Sequence, residues 1–135
     1  MARRMTLNLR EIEVFKPYSN EFPHDLLLRE GLDDDCAATW LQAETLRVAK
    51  RESEVLGVYA MNRIDREDFR VLGVLIAPAS CKQGLGRWLI GHAIGVAESK
   101  GGRRVTLESP GSSRIFARMG FERGPEVWTF DLIQE

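Results

Sequence analysis

VLGVLIAPASCKQGLGRW, residues 71–88, joins an apolar run of strand length to a proline and a short polar loop. Gln83-Gly84-Leu85-Gly86 follows, and a long amphipathic pattern starts at once. The order reads as a strand passing through a glycine-containing loop into a helix N-terminus. Backbone N–H groups and the positive end of the helix dipole then face one space, which suits a phosphate or pyrophosphate. Gly84 and Gly86 carry no Cβ, so the main chain there can approach an anion closely. Lys82 and Arg87 add positive charge beside it. The loop lacks the Gly-Lys-Ser/Thr ending of a nucleotide P-loop, and Gly91 comes too late to complete a dinucleotide fingerprint. Spacing alone therefore admits two readings, an anion seat or a glycine-softened turn that binds nothing.

Residues 69–76 are apolar at nearly every position, as for a strand buried on both faces. Upstream, residues 45–50 and 54–61 are β-type runs around Arg51-Glu52-Ser53 and read as a hairpin. A second turn near residues 64–67 leads into the apolar strand. Residues 22–30 and 35–44 read as short helices, with Gly31 ending the first and Asp33-Asp34-Asp35 capping the second. Residues 7–15 alternate loosely and read as a first strand.

Downstream, Leu85, Trp88, Leu89, His92, Ala93, Val96 and Ala97 recur at helical spacing across residues 84–100. This is the strongest helix in the chain, and Gly101-Gly102 stop it. Residues 105–108 form a short strand, and a serine-capped helix then runs to Met119. Phe121 opens a strand, a turn lies near Gly124-Pro125, and residues 127–133 close the sheet. The order β-α-α-β-β-β-α-β-α-β-β sets an antiparallel meander before a single β-α-β crossover, an α+β arrangement on a mixed sheet.

At 135 residues the chain is expected to form one domain, spanning residues 1–135. A formal net charge of -1 gives no electrostatic footprint for nucleic acid or an anionic membrane. Cys36 and Cys81 have no Cys/His partners at metal spacing, so neither a zinc site nor a disulfide scaffold is expected. The basic start MARRM is not followed by the apolar stretch of a signal peptide, and no apolar run of membrane-spanning length occurs. The expectation is a cytoplasmic protein without a membrane or nucleic-acid partner.

The element order and two motifs resemble the GNAT family of N-acetyltransferases. In that family the central strand ends in an apolar residue, x-Pro and a loop of the form Arg/Gln-x-x-Gly-x-Gly/Ala. Here Ile76-Ala77-Pro78 precedes Cys81-Lys82-Gln83-Gly84-Leu85-Gly86. The second signature, an aromatic, three residues and Gly-Phe, matches Phe116-Ala117-Arg118-Met119-Gly120-Phe121. The resemblance implies the acyl-CoA N-acyltransferase fold, a mixed, mostly antiparallel sheet with helices on both faces.

It also implies acetyl-CoA as co-substrate and an amine of a small molecule or protein as acceptor, with no metal; a homodimer is left open. Backbone N–H groups of Lys82, Gln83, Gly84, Leu85, Gly86 and Arg87 would hold the CoA pyrophosphate. Backbone groups of Val74, Leu75 and Ile76 would pair with the pantetheine arm. Among the latter, Leu75 and Ile76 would face the thioester carbonyl and stabilise the oxyanion during direct amine attack.

The chain departs from the family pattern in places. Cys81 replaces Arg or Gln and reads as a small loop filler. Phe116 stands where many members carry a tyrosine that protonates departing CoA, and its ring can still pack on the pantetheine arm. Ser109 and Ser112 replace Asn and Ala, and serve either the CoA arm or only the turn. Glu108, ending its strand beside the cleft, is the best-placed base or water-relay residue, weighed against a surface carboxylate. His92 reads as a satisfied half-buried histidine, Tyr59 as a core or sheet-face residue, and Trp40, Trp88 and Trp128 as packing. A CoA-binding regulator without transfer chemistry is the competing class, and an interaction module without CoA ranks last.

Overall fold

Asp33 shows how the sequence starts its elements. Its backbone is extended, and its Oδ1 accepts a hydrogen bond from the Cys36 N–H at 2.9 Å. That bond caps the helix and holds the Asp33 carboxyl below its usual range. In a computed structural model that describes residues 12–17, 22–29, 31–52, 54–77, 84–108, 121–123 and 127–132, ten elements follow one another. They are β1 (Glu13–Phe15), α1 (His24–Arg29), α2 (Asp34–Leu41), β2 (Thr45–Arg51) and β3 (Glu54–Arg63), followed by β4 (Asp68–Ile76), α3 (Leu85–Ser99), β5 (Arg104–Glu108), β6 (Glu122–Arg123) and β7 (Val127–Asp131). The expected strand over residues 7–11, the serine-capped helix before Met119 and the turn at Gly124-Pro125 lie outside the described residues.

The strands form one sheet in the order β1-β2-β3-β4-β5-β7-β6. Only β4 and β5 run parallel, joined by the crossover helix α3; every other described pair is antiparallel. Among the described residues no helix is long and apolar enough to cross a membrane.

Strand alternation divides the core between the two sheet faces. Leu46 and Val48 on β2 and Val58 and Ala60 on β3 meet Leu26 and Leu27 of α1 and Ala37 and Trp40 of α2. On the opposite face Tyr59, Met61, Phe69, Val71, Val105 and Leu107 meet Leu85, Leu89, Ile90, Ala93 and Ala97 of α3. Helices thus cover both faces of a mixed sheet.

Two bulges shape the sheet. The β2–β3 register slips between Ala49 and Lys50, leaving Leu56 as the extra residue on β3. The β3–β4 register slips where Ala60 pairs with Gly73 and Met61 with Val71, leaving Leu72 as the extra residue on β4. An added residue bends its strand and raises its twist, which re-aims the second half of β4.

Element ends differ by a few residues from those read in the sequence, for local reasons. Helix α2 stops at Leu41 rather than at Glu44, because the Glu44 amide donates to Oδ1 of Asn62 at 2.8 Å. Strand β3 runs on to Arg63, since Asn62 and Arg63 pair with Arg70 and Phe69 across the turn. The expectation that residues 69–76 are buried on both faces is met by Phe69 and Val71 alone. Residues 72–76 are half-exposed.

Candidate functional site

The half-exposure of late β4 has a structural cause. Its pairing with β5 ends at Val71 and Leu107, whereas its pairing with β3 continues to Ile76 and Gly57. Past the bulge β4 pairs with β3 alone among the described residues, because β5 ends at Glu108. The Ala77 N–H donates to the Leu56 carbonyl at 2.8 Å, so its backbone faces β3. Backbone direction alternates along a strand. Leu75 therefore also faces β3, while Val74 and Ile76 direct their backbone groups to the side away from β3. The expectation that Val74, Leu75 and Ile76 all present backbone to a ligand is corrected in this respect: Leu75 is turned away.

Helix α3 begins beside the same edge. A Cβ built on Gly86 would stand 3.7 Å from Cγ1 of Ile76, which places the first helical turn against the end of β4. Gly84 is the N-cap at φ 81, a left-handed conformation natural only to glycine, and it makes no side-chain cap bond. The first intrahelical bond runs from the Trp88 N–H to the Gly84 carbonyl at 3.0 Å. The N–H groups of Leu85, Gly86 and Arg87 precede it and have no partner within the helix. Leu85 is buried and pins the helix start to the core, while Arg87 is exposed. The end of β4 thus meets the N-terminus of α3. These features suit one ligand carrying an amide-containing arm and a diphosphate.

Lys82, Gln83, Ser109, Ser112, Phe116 and Cys81 lie outside the described residues. Glu108 ends β5, where its backbone pairs with Val127. Val105 and Leu107 belong to the α3-side core. Thr106, on the opposite face, accepts from Arg70 Nε at 3.3 Å.

Two arrangements carried no sequence expectation. Trp40 of α2 lies against Gly73 at the bulge, where a Cβ would come 2.5 Å from Cζ2 of the indole. The other joins β3 to α3: the Tyr59 hydroxyl lies 2.7 Å from Nδ1 of His92. Tyr59 is fully buried, and burial pushes its hydroxyl well above the ordinary range, so it stays protonated. Donating to Nδ1 satisfies that proton and leaves neutral His92 with its own proton on Nε2. His92 is therefore satisfied and half-buried, as the apolar stripe suggested.

Burial lowers the pKa of His92, and the charge of Arg47 adds to the effect. With a folded pKa below the ordinary value of 6.5, the unfolded chain binds more protons as acid is added. Stability from this pair is present above pH 6.5 and is lost as pH falls through the lowered folded value. His92→Gln is expected to lower the melting temperature clearly at pH 7.5 and much less at pH 5.5, measured side by side with the parent. An equal deficit at both pH values would contradict the assignment.

Other concavities differ in character. A cavity of about 470 Å³ adjoins the end of β4 on the α1 side, with Phe22, Leu26, Val55 and Ala77 among its walls. A cleft of about 590 Å³ lies at the other end of β4 and β5. Its walls are charged groups of both signs, including the exposed pairs Arg103–Glu67 at 3.6 Å and Arg104–Asp131 at 3.1 Å. Exposed pairs of this kind contribute little to stability.

The fold is similar to that of several solved acetyltransferases. A GNAT family acetyltransferase from Elizabethkingia anophelis with acetyl-CoA bound superposes with a TM-score of 0.79 at 20% identity, over 90% of this chain and 99% of that one. A Bacillus subtilis acetyltransferase in complex with CoA gives 0.74 at 20% identity, over 91% and 99%. The ribosomal-protein-S18-alanine N-acetyltransferase from Escherichia coli gives 0.77 at 13% identity, over 92% and 96%. No curated protein matches the sequence significantly. The sequence profile of the Acetyltransferase (GNAT) family, however, matches residues 7–121, which include β4, the glycine loop and Phe116 through Phe121, and the chain belongs to that family.

Proposed function

We propose that this acetyl-CoA-dependent acetyltransferase transfers the acetyl group directly to an amine of a small molecule or protein. The observation that carries the reading is the N-terminus of α3 set beside Ile76, where β4 has run on past its last pairing with β5 at Val71. Amides of Gly84, Leu85, Gly86 and Arg87, with Lys82 and Gln83 before them, hold the CoA pyrophosphate on the helix dipole. Backbone groups of Val74 and Ile76 pair with the pantetheine arm. An N–H from this edge also stabilises the oxygen of the thioester as it gains charge. Ser109, Ser112 and the Phe116 ring complete the arm's contacts.

The acceptor nitrogen, once neutral, attacks the thioester carbonyl carbon. The tetrahedral intermediate collapses with cleavage of the C–S bond, and the thiolate leaves. Glu108 or a water it orders takes the acceptor's proton. Phenylalanine at position 116 has no proton to give, so solvent protonates the thiolate. A thiol of pKa roughly 8.5 leaves acceptably without a positioned acid. Phe116→Tyr is expected to raise kcat, since a positioned acid is typically worth about 10²–10⁴ in rate. Steady-state thiol release measures it, and an unchanged kcat would show that leaving-group protonation does not limit turnover.

Phe116 also favours a second reading, a CoA-binding regulator on the same fold. Thiol release from acetyl-CoA across a panel of amines and peptide N-termini separates the two. Turnover on at least one acceptor is expected, and tight binding without turnover on any would replace the enzyme with the regulator.

A further inference from the structure

The end of β4 meets different chemistry on its two faces. Ile76 packs on the α3 side, against the first turn of that helix. Alternation turns Ala77 the other way, and there it adjoins the cavity of about 470 Å³ on the α1 side. That volume falls within the roughly 300–1,000 Å³ of small-molecule sites. Phe22, Leu26 and Val55 give the cavity an apolar wall, and the His24 ring meets Phe22 edge to face with centroids 4.8 Å apart. Asp25 and Arg29, both exposed on α1, give it two opposite charges. Such charges four residues apart on a helix ordinarily attract one another into a pair. Here they do not, for among the described residues neither Asp25 nor Arg29 forms an ion pair. A carboxylate and a guanidinium standing apart beside an apolar wall suit a ligand that carries both charges and an apolar group.

We propose that this cavity binds a zwitterionic amine, an α-amino acid with an apolar side chain, and that this molecule is the acceptor. Asp25 takes the ammonium, Arg29 the carboxylate, and Phe22, Leu26 and Val55 the side chain. Its role as acceptor rests on the reading that CoA is seated at the N-terminus of α3, at the same end of β4. The bound ammonium loses one proton to water before it attacks. The nitrogen then bonds to the acetyl carbon, the C–S bond breaks, a second proton leaves the nitrogen, and the CoA thiolate takes one up. The products are an N-acetyl amino acid and CoA, with one net proton released.

Binding is measured calorimetrically with leucine, leucinamide and isocaproate, which keep or lack one charge each on a similar skeleton. The parent is expected to bind leucine at least about tenfold more tightly than either of the others, the worth of one charge-assisted hydrogen bond. Arg29→Gln should bind leucine and leucinamide alike, and Asp25→Asn should bind leucine and isocaproate alike. Both positions are exposed, so the melting temperatures should stay near the parent's. Thiol release from acetyl-CoA should be faster with leucine than with leucinamide, and Arg29→Gln should erase the difference. A parent that binds the three probes alike, or variants that keep the parent's preferences, would overturn the site. Thiol release that favours amines without a carboxylate would overturn it and leave the transfer reading intact. Leucine binding with no thiol release on any amine would overturn the acceptor role together with the transfer reading.

Discussion

Gly86→Glu is expected to make the free protein more stable and to abolish its binding of acetyl-CoA. Gly86 lies in the first turn of α3, and a Cβ there meets Ile76 at 3.7 Å, an ordinary contact, so the fold has room. Glycine is about 0.8–1 kcal/mol less favourable than alanine in a helix interior, and glutamate recovers part of that difference. A carboxylate in the first turn adds about 0.3–1 kcal/mol through the helix dipole. The melting temperature of the free protein should therefore rise by a few degrees. The same charge would sit where the pyrophosphate is proposed to be held. Two unit charges at about 4 Å repel by about 4 kcal/mol at the effective dielectric near a protein surface. Affinity should fall by at least about a hundredfold. A stabilised variant that still binds acetyl-CoA with parental affinity would move the anion elsewhere.

Leu89→Ala is expected to have the largest effect on stability. Leu89 is fully buried on the inner face of α3, and its Cδ1 occupies the space above Gly57, where a Cβ would come within 2.8 Å. The position beneath, Gly57, has no side chain to fill the void, and a Cβ there would meet Leu89, Ile76 and the Leu75 carbonyl. A loss of about 2–5 kcal/mol follows from burial and the cavity left behind. That is a large share of the roughly 5–15 kcal/mol a domain of this kind commands. Urea unfolding should show a lower midpoint with an unchanged slope. A midpoint near the parent's would mean that α3 is not packed against β3 as described.

The parts of this fold legible in the sequence are those whose signals are local. The strand-to-helix passage at residues 71–88 announces itself because hydrophobic periodicity changes within a few residues, with glycine and proline at the change. Asp33 as a helix cap and Gly101 as a helix stop are likewise read from residues near at hand. Gly101 adopts φ 82, and the Gly102 N–H reaches the Ala97 carbonyl at 2.8 Å.

What escaped the reading depends on distant partners. The bulge at Leu72 is a register relation between β3 and β4, although a lone glycine inside an apolar strand, Gly73, is its recognisable sign. Trp40 reads as packing from sequence, and only the fold brings it onto that glycine. The Tyr59–His92 bond joins residues on two elements of unrelated period, so no spacing announces it. The half-exposure of late β4 follows from where β5 stops, a fact held in neither strand's composition. The helix N-terminus proposed to seat the pyrophosphate was legible, therefore, while the register of the strands beside it was not.

Thermal unfolding of the parent chain with and without acetyl-CoA tests the central claim most directly. A ligand that binds only the folded state stabilises it by about 2.7 kcal/mol at one hundred times its Kd. The N-terminus of α3 beside the end of β4 predicts a melting temperature that rises steadily with acetyl-CoA, and Gly86→Glu should erase the rise. A melting temperature unmoved by millimolar acetyl-CoA would contradict the account.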